Sequence, residues 1–199
     1  EPLRILFAGT FREKKGIPYL LDAAAVLHGS GIRIELHLVG DAAARPGDAA
    51  MKEEVFRRIR QHGLEEVTRH HSWLTFEDLA RLALQCHVFV APSVTASDGD
   101  AEGTPFVIQQ MMATGMPVIS TLHSDIPFVY GEHAHMLVPE RSGQAIAERL
   151  MAYAEEPSRI TEDGLLLSKH IREKFDVRKC ADRLSDLYDR VAMNGSRPR

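Results

Sequence analysis

Cysteine is scarce. Cys86 and Cys180 are the only two in 199 residues, they lie far apart, and neither has a metal-ligand neighbour at the usual spacing. A disulfide framework and a cysteine metal site are therefore not expected; two reduced, buried thiols in a reducing, cytoplasmic setting are. Long apolar runs are also missing. Nothing approaches the roughly 20 residues that cross a bilayer, and no signal-peptide pattern opens the sequence, which leaves peripheral contact at the inner face of a membrane open. Positive charge is not in excess: 24 Lys and Arg stand against 28 Asp and Glu, a net charge of −4 with no basic cluster. A nucleic-acid backbone, which needs concentrated Lys and Arg, is not an expected partner. Internal repeats and low-complexity tracts are absent.

What is present is a soluble, globular composition, 44% apolar and 26% charged. A chain of this size can bury about 70% of its unfolded surface. Leu3 to Ala8 reads as a buried strand at the very start, so the chain is expected to be part of something longer. A turn at Gly9 to Gly16 leads to a helix over Ile17 to Leu27. Ile32 to Val39 is a second strand ending in Gly40-Asp41, and Met51 to His62 is a charged helix with Val55 and Ile59 inward. Val67 to Leu74 reads as a short strand weakened by two histidines, Phe76 to Gln85 as a helix, and His87 to Ala91 as a strand. Ala134 to Val138 is expected to add a strand. Helices are expected over Ser142 to Glu155, Pro157 to Lys169 and Val177 to Val191, with a disordered tail from 194 to 199. Alternating strands and helices predict an α/β, Rossmann-like parallel sheet with helices on both faces.

The stretch from Pro92 to Thr121 is the most informative. A strand runs into a polar loop that ends in Glu102-Gly103-Thr104-Pro105; a helix follows, and Gly115 breaks it before another strand. Thr104 can cap the first amides, Pro105 suits the first helical position, and Gly115 suits the left-handed position beyond the end. A helix start at the carboxyl end of a parallel strand is an anion site, and a phosphate is the expected guest.

Glu102 to Pro105, the spacing from Glu102 to Gln110, and Ala113 to Ile119 (ATGMPVI) together resemble the donor-binding motif of glycosyltransferase family 4. These are retaining nucleotide-sugar enzymes of GT-B type with two Rossmann-like domains. The opening FAGTFREKKGIPYLLDA, the internal LVGD and the segment SWLTFEDLARLALQCHVFVAPS are similar to the same family in order and spacing. The resemblance covers nearly the whole chain but only the family's C-terminal domain. It implies a nucleotide-sugar domain over residues 1–193, half of a GT-B architecture, with the N-terminal acceptor domain absent from this chain.

The resemblance also implies roles. Glu102 would accept hydrogen bonds from sugar hydroxyls, its bland alternative being a charge favoured by the helix dipole. Lys15 would neutralise the departing diphosphate, or be merely solvated. Gly9 and Thr10 of the first turn, and the amides of Gly103, Thr104 and Phe106 beside Pro105, would approach the diphosphate or sugar. Trp73, Leu74 and Thr75 would lie near the base; the alternatives are core packing for Trp73 and an N-cap for Thr75. Gln110 stands where the family usually carries a second glutamate on the ribose, and Thr10 where an arginine often follows the glycine; Arg12 or Lys14 can stand in for that charge. The implied donor is a UDP-, GDP- or ADP-sugar, with no other cofactor. Neither Asp98 with Asp100 nor the histidine pairs His70-His71 and His133-x-His135 are expected to hold a metal. Two rival readings remain: a catalytically degenerate binding or assembly module, and another α/β nucleotide-sugar enzyme such as an epimerase.

Overall fold

Apolar residues fill both faces of β1 (Leu3–Ala8), a central strand that alternates between two cores. Leu3, Ile5 and Phe7 enter one hydrophobic cluster, Leu6 and Ala8 the other. In the computed structural model, which describes residues 1–45 and 47–195, β1 pairs in parallel with β2 (Ile34–Val39) on one side and β4 (Val88–Ala91) on the other. The half-exposed β3 (Thr68–His71) closes one edge and β5 (Val118–Ser120) the other, giving a five-stranded parallel sheet in the order β3-β2-β1-β4-β5. The histidines tolerated in β3 reflect its edge position, where one side of the strand needs no apolar cover.

Helices α1 (Ile17–Gly29), α2 (Asp48–Gln61) and α6 (Gly143–Glu155) pack on the first face through Leu20, Leu21, Val55, Ile59, Ile146 and Leu150. The second face is covered by α3 (Phe76–Ala83), α4 (Phe106–Ala113), α5 (Ile126–Tyr130) and α7 (Ser158–Lys174), with Ile108, Met112, Val129 and Leu167 at its centre. This is the α/β, Rossmann-like parallel sheet with helices on both faces that the alternation of segments predicts. Helix α7 fits against α4 because Gly164 has no side chain; a Cβ there would lie 2.0 Å from the carbonyl oxygen of Gly115.

Several expectations change. Ala134 to Val138 is not a strand: Gly131–Met136 forms 3-10 turns, and Val138 reaches the sheet only through a bridge to Thr121. Met136, Leu137 and Val138 are buried in the apolar layers, and the next residue, Pro139, has no N–H to extend a ladder. Helix α7 runs on to Lys174. Helix α8 (Val177–Gly195) takes in the first two residues of the expected tail, whose other four lie outside the described residues. Its Leu184, Leu187, Tyr188 and Val191 are exposed. Both cysteines are free, but Cys180 is exposed; Cys86 is partly buried, and burial pushes its thiol up to about 11. Among the described residues no helix is long and apolar enough to cross a membrane.

Candidate functional site

The chain leaves β1 toward β2 on one side, and the later strands β4 and β5 continue on the other. Connections diverge at such a reversal and leave a crevice at the carboxyl ends, between the loops that follow β1 and β4. Both loops are tightly anchored here. Phe11 is fully buried against the rings of Phe56 and His70, and its N–H donates to Asp41 O at 2.9 Å. The 3-10 turn Glu13–Lys15 ends at Gly16, whose φ of +64° favours glycine. A Cβ on Gly16 would lie 1.8 Å from Pro92 O, and the Val94 N–H donates to Lys14 O at 2.9 Å. The first turn and the loop after β4 therefore form one unit.

Charged side chains from both loops meet in that unit. Lys15 Nζ lies 3.0 Å from Glu102 Oε1, and Lys14 Nζ is 3.8 Å from the same oxygen. Lys14 also donates to Asp100 Oδ1 and to Ala101 O, each at 3.0 Å, and Arg12 donates to Asp100 Oδ2 at 2.6 Å. Hydrogen bonding from Lys14 holds the Asp100 carboxyl below the usual carboxylate range. Arg12 Nε stands 3.6 Å from Oδ1 of the buried Asp48 at the start of α2. The Glu102 side chain is only 10% exposed, and its Oε1 has an ion pair but no aligned hydrogen bond. A buried carboxylate oxygen with an unfilled acceptor position is costly unless something supplies a donor.

The sequence-derived residues fall into two groups. Glu102, Lys15, Arg12, Gly9 and Thr10 lie together in or beside the charged unit, and the aliphatic stem of Lys15 passes over Gly9, with its Cδ 3.5 Å from where a Cβ would stand. Gly103 and Thr104 lead from Glu102 into α4. The Thr104 cap is not formed; buried Pro105 occupies the N-cap position, and no side chain caps the first turn. Phe106 and Gln110 are both exposed, four residues apart and so on one face of α4, opposite Ile108, Met111 and Met112. Trp73, Leu74 and Thr75 lie elsewhere, between β3 and α3. Trp73 is 62% exposed, which rules out the core-packing alternative, and Leu74 packs on the second cluster. Thr75 does cap α3, accepting the Asp78 N–H at 3.1 Å.

Among the residues weighed as metal ligands, Asp98, His70 and His71 are engaged separately, whereas His133 converges with two neighbours. Asp98 accepts the Asp100 N–H at 2.9 Å in its turn. His70 pairs with Gly40 O, whereas His71 stacks on His37, so the two rings do not converge. His133 gathers with Glu132 and His170, all ligand atoms within 4.8 Å of one another, but Lys174 and Arg183 line the neighbouring cavity with Glu132 and His170. Sequence reasoning missed Asp48, His123 and Glu140. Asp48 opens α2 after a loop, and His123 and Glu140 follow the end of β5 and its bridge to Val138; none sits in a motif.

Residues 2–156 match the family described as glycosyl transferases, group 1. The chain belongs to this family. It is 32% identical over 176 residues to WcaL of Escherichia coli K12, assigned by its name to colanic acid biosynthesis, a match covering 88% of this chain and 41% of that protein. It is 29% identical over 194 residues to the amylovoran biosynthesis glycosyltransferase AmsK of Erwinia amylovora, covering 96% and 46%. The chain thus spans less than half the length of these curated relatives. Among solved structures, HepE of Anabaena in complex with UDP superposes with a TM-score of 0.82 at 20% identity, over 94% of this chain and 49% of that one. The C-terminal domain of the group 1 protein LpcC from Francisella tularensis gives 0.73 at 20% identity, over 87% and 86%. The fold is therefore a Rossmann-like domain that matches about half of HepE and most of the LpcC C-terminal domain.

Proposed function

We propose that this group 1 domain is the donor-binding half of a retaining glycosyltransferase and holds a nucleoside diphosphate sugar in the crevice between β1 and β4. The carrying observation is the buried Oε1 of Glu102, unfilled as a hydrogen-bond acceptor and 3.0 Å from the Lys15 ammonium. A sugar hydroxyl supplies the donor that this oxygen lacks, and a diphosphate supplies the anion that Lys15 and the uncapped start of α4 favour. As the glycosidic bond to the nucleotide breaks, negative charge grows on the leaving phosphate, where Lys15 and the amides around Gly103 to Phe106 stabilise it. Arg12 and Lys14 place two further cations in the same unit, which offsets the missing arginine at Thr10 and supports transfer without a metal. Gln110 takes the ribose and Trp73 to Thr75 the base edge. HepE is described in complex with UDP-glucose, which makes a UDP-sugar the first donor to try.

Acceptor contacts come from a second domain beyond this chain, so the chain by itself binds a donor weakly and transfers little. Calorimetric titration with UDP, GDP, ADP and their sugars tests the reading. Binding of one nucleotide series, weakened by Lys15→Ala, is the expected result; no heat up to millimolar ligand would overturn it. Nucleotide binding with no transfer by the longer parent protein would favour the degenerate module, for which Gln110 and Thr10 speak.

A further inference from the structure

The loop from Thr95 to Glu102 is fastened at both ends by one carboxylate and one imidazole. Glu140 Oε2 accepts the N–H of Thr95 at 3.0 Å, where the loop begins. Glu140 Oε1 lies 2.6 Å from Nδ1 of His123, and His123 Nε2 lies 3.0 Å from the backbone nitrogen of Glu102, where the loop ends. His123 is 1% exposed. Its own position is set by the end of β5: Ser120 Oγ donates to Ala91 O at 2.7 Å, and Thr121 Oγ1 donates to Ser93 O at 2.5 Å. Between the two anchors the loop is held by Glu13, which accepts from the Ser97 N–H at 2.9 Å and the Ser97 hydroxyl at 2.7 Å, and by Arg141, whose guanidinium reaches Thr95 O.

The proton positions follow from the partners. A backbone N–H can only donate, so Nε2 of His123 is the bare nitrogen and Nδ1 carries the hydrogen that it gives to Glu140. Burial works to raise the Glu140 pKa, but the Thr95 N–H and His123 outweigh it and hold the carboxyl below the usual range, as this direction of donation requires. Glu140 therefore sets the tautomer, and the tautomer sets the backbone that presents the Glu102 side chain.

We propose that His123, held by Glu140, is a positioning residue that fixes Glu102 for the sugar portion of the donor, a role that rests on the donor-binding reading above. The pair acts mainly on Glu102, because the backbone of the first turn keeps its own fastenings, Gly16 against Pro92 and the Val94 N–H on Lys14 O, which His123 does not touch. An isosteric Glu140→Gln change exposes the logic. If the new amide oxygen keeps the Thr95 N–H, its NH2 faces Nδ1 and forces the opposite tautomer, whose Nε2–H then opposes the Glu102 N–H. His123→Gln, in contrast, can still offer an oxygen near the former Nε2.

The experiment combines nitrogen NMR of the histidine rings, amide exchange at Glu102, and titration with UDP and UDP-glucose. The unaltered chain is expected to show Nδ1 protonated and Nε2 bare at His123, with a protected Glu102 amide. His123→Ala should weaken UDP-glucose about tenfold, the scale of one lost hydrogen bond, and leave UDP within about twofold. His123→Gln should recover most of that loss, and Glu140→Gln should deprotect the Glu102 amide. An Nε2-protonated ring, an unchanged Glu102 amide in Glu140→Gln, or equal losses for UDP and UDP-glucose would each overturn the proposal. If His123→Ala does not fold, Glu140→Gln and His123→Gln carry the same test. Absence of UDP binding by the unaltered chain would remove the donor reading, whereas the ring and amide measurements still decide whether His123 fixes Glu102.

Discussion

Two corners of the molecule are proposed to take the same ligand, and they are built differently. The corner between β1 and β4 is cross-braced: Arg12, Lys14 and Lys15 face Asp48, Asp100 and Glu102, and the Glu102 side chain is only 10% exposed. The corner between β3 and α3 is open, with Trp73 62% exposed and Thr75 engaged in capping its own helix. On the donor-binding reading, charge recognition at the first is built before a ligand arrives, and base recognition at the second would rest on an exposed ring and strand-end backbone. The diphosphate end should therefore dominate affinity, and the base end should tune selectivity among nucleotides.

The largest effect should come from breaking the brace itself. Gly16→Ala puts a Cβ 1.8 Å from Pro92 O at a φ of +64°. Both the strain and the clash must be relieved by parting the two loops, at a cost of about 2–4 kcal/mol. Thermal unfolding should show a lower Tm, and UDP binding should fall with it. An unchanged Tm would mean that the two loops are not one unit.

Lys15→Ala tests the same corner without touching its backbone. Removal of one charge-assisted contact should weaken UDP by about 10- to 100-fold. The effect on Tm should be small, because Lys15 is partly exposed and its ion pair with Glu102 is flanked by Lys14 at 3.8 Å. Arg60, which is exposed, serves as the control. Equal losses for Lys15→Ala and Arg60→Ala would place the diphosphate elsewhere.

Trp73→Ala probes the open corner. Stacking on a base contributes about 1–3 kcal/mol where it occurs, so a loss of roughly fivefold in UDP affinity at unchanged Tm is expected. Affinity for inorganic diphosphate should not move. A drop in Tm would instead show that the ring packs on the fold, contrary to its exposure.

The two corners also differ in how much of them the sequence revealed. Local rules carried the strands, because fully buried strands are continuous apolar runs, and they carried Gly115, which is left-handed with a φ of +90°. The pairing of Lys15 with Glu102 was legible only as two separate motif positions; the 3.0 Å contact depends on Gly16 approaching Pro92, a long-range fit that periodicity does not encode. Asp48, His123 and Glu140 were invisible for the same reason. The strand at Ala134 to Val138 failed because its apolar residues were counted without Pro139 beside them. The Thr104 cap failed because Pro105 itself took the cap position.

Gln110 offers the smallest and most specific change. It is exposed on α4, on the face it shares with Phe106, so Gln110→Glu adds no buried charge and should leave stability within about 0.5 kcal/mol of the original. If this face meets the ribose, a carboxylate accepts both hydroxyls more strongly than an amide oxygen does, and UDP should bind about threefold to tenfold tighter. Inorganic diphosphate should bind slightly more weakly, because the new charge repels it. A parallel gain for both ligands, or for neither, would mean that the ribose does not reach α4. The nucleotide would then extend from the braced corner toward Trp73 by a path that leaves Gln110 in solvent.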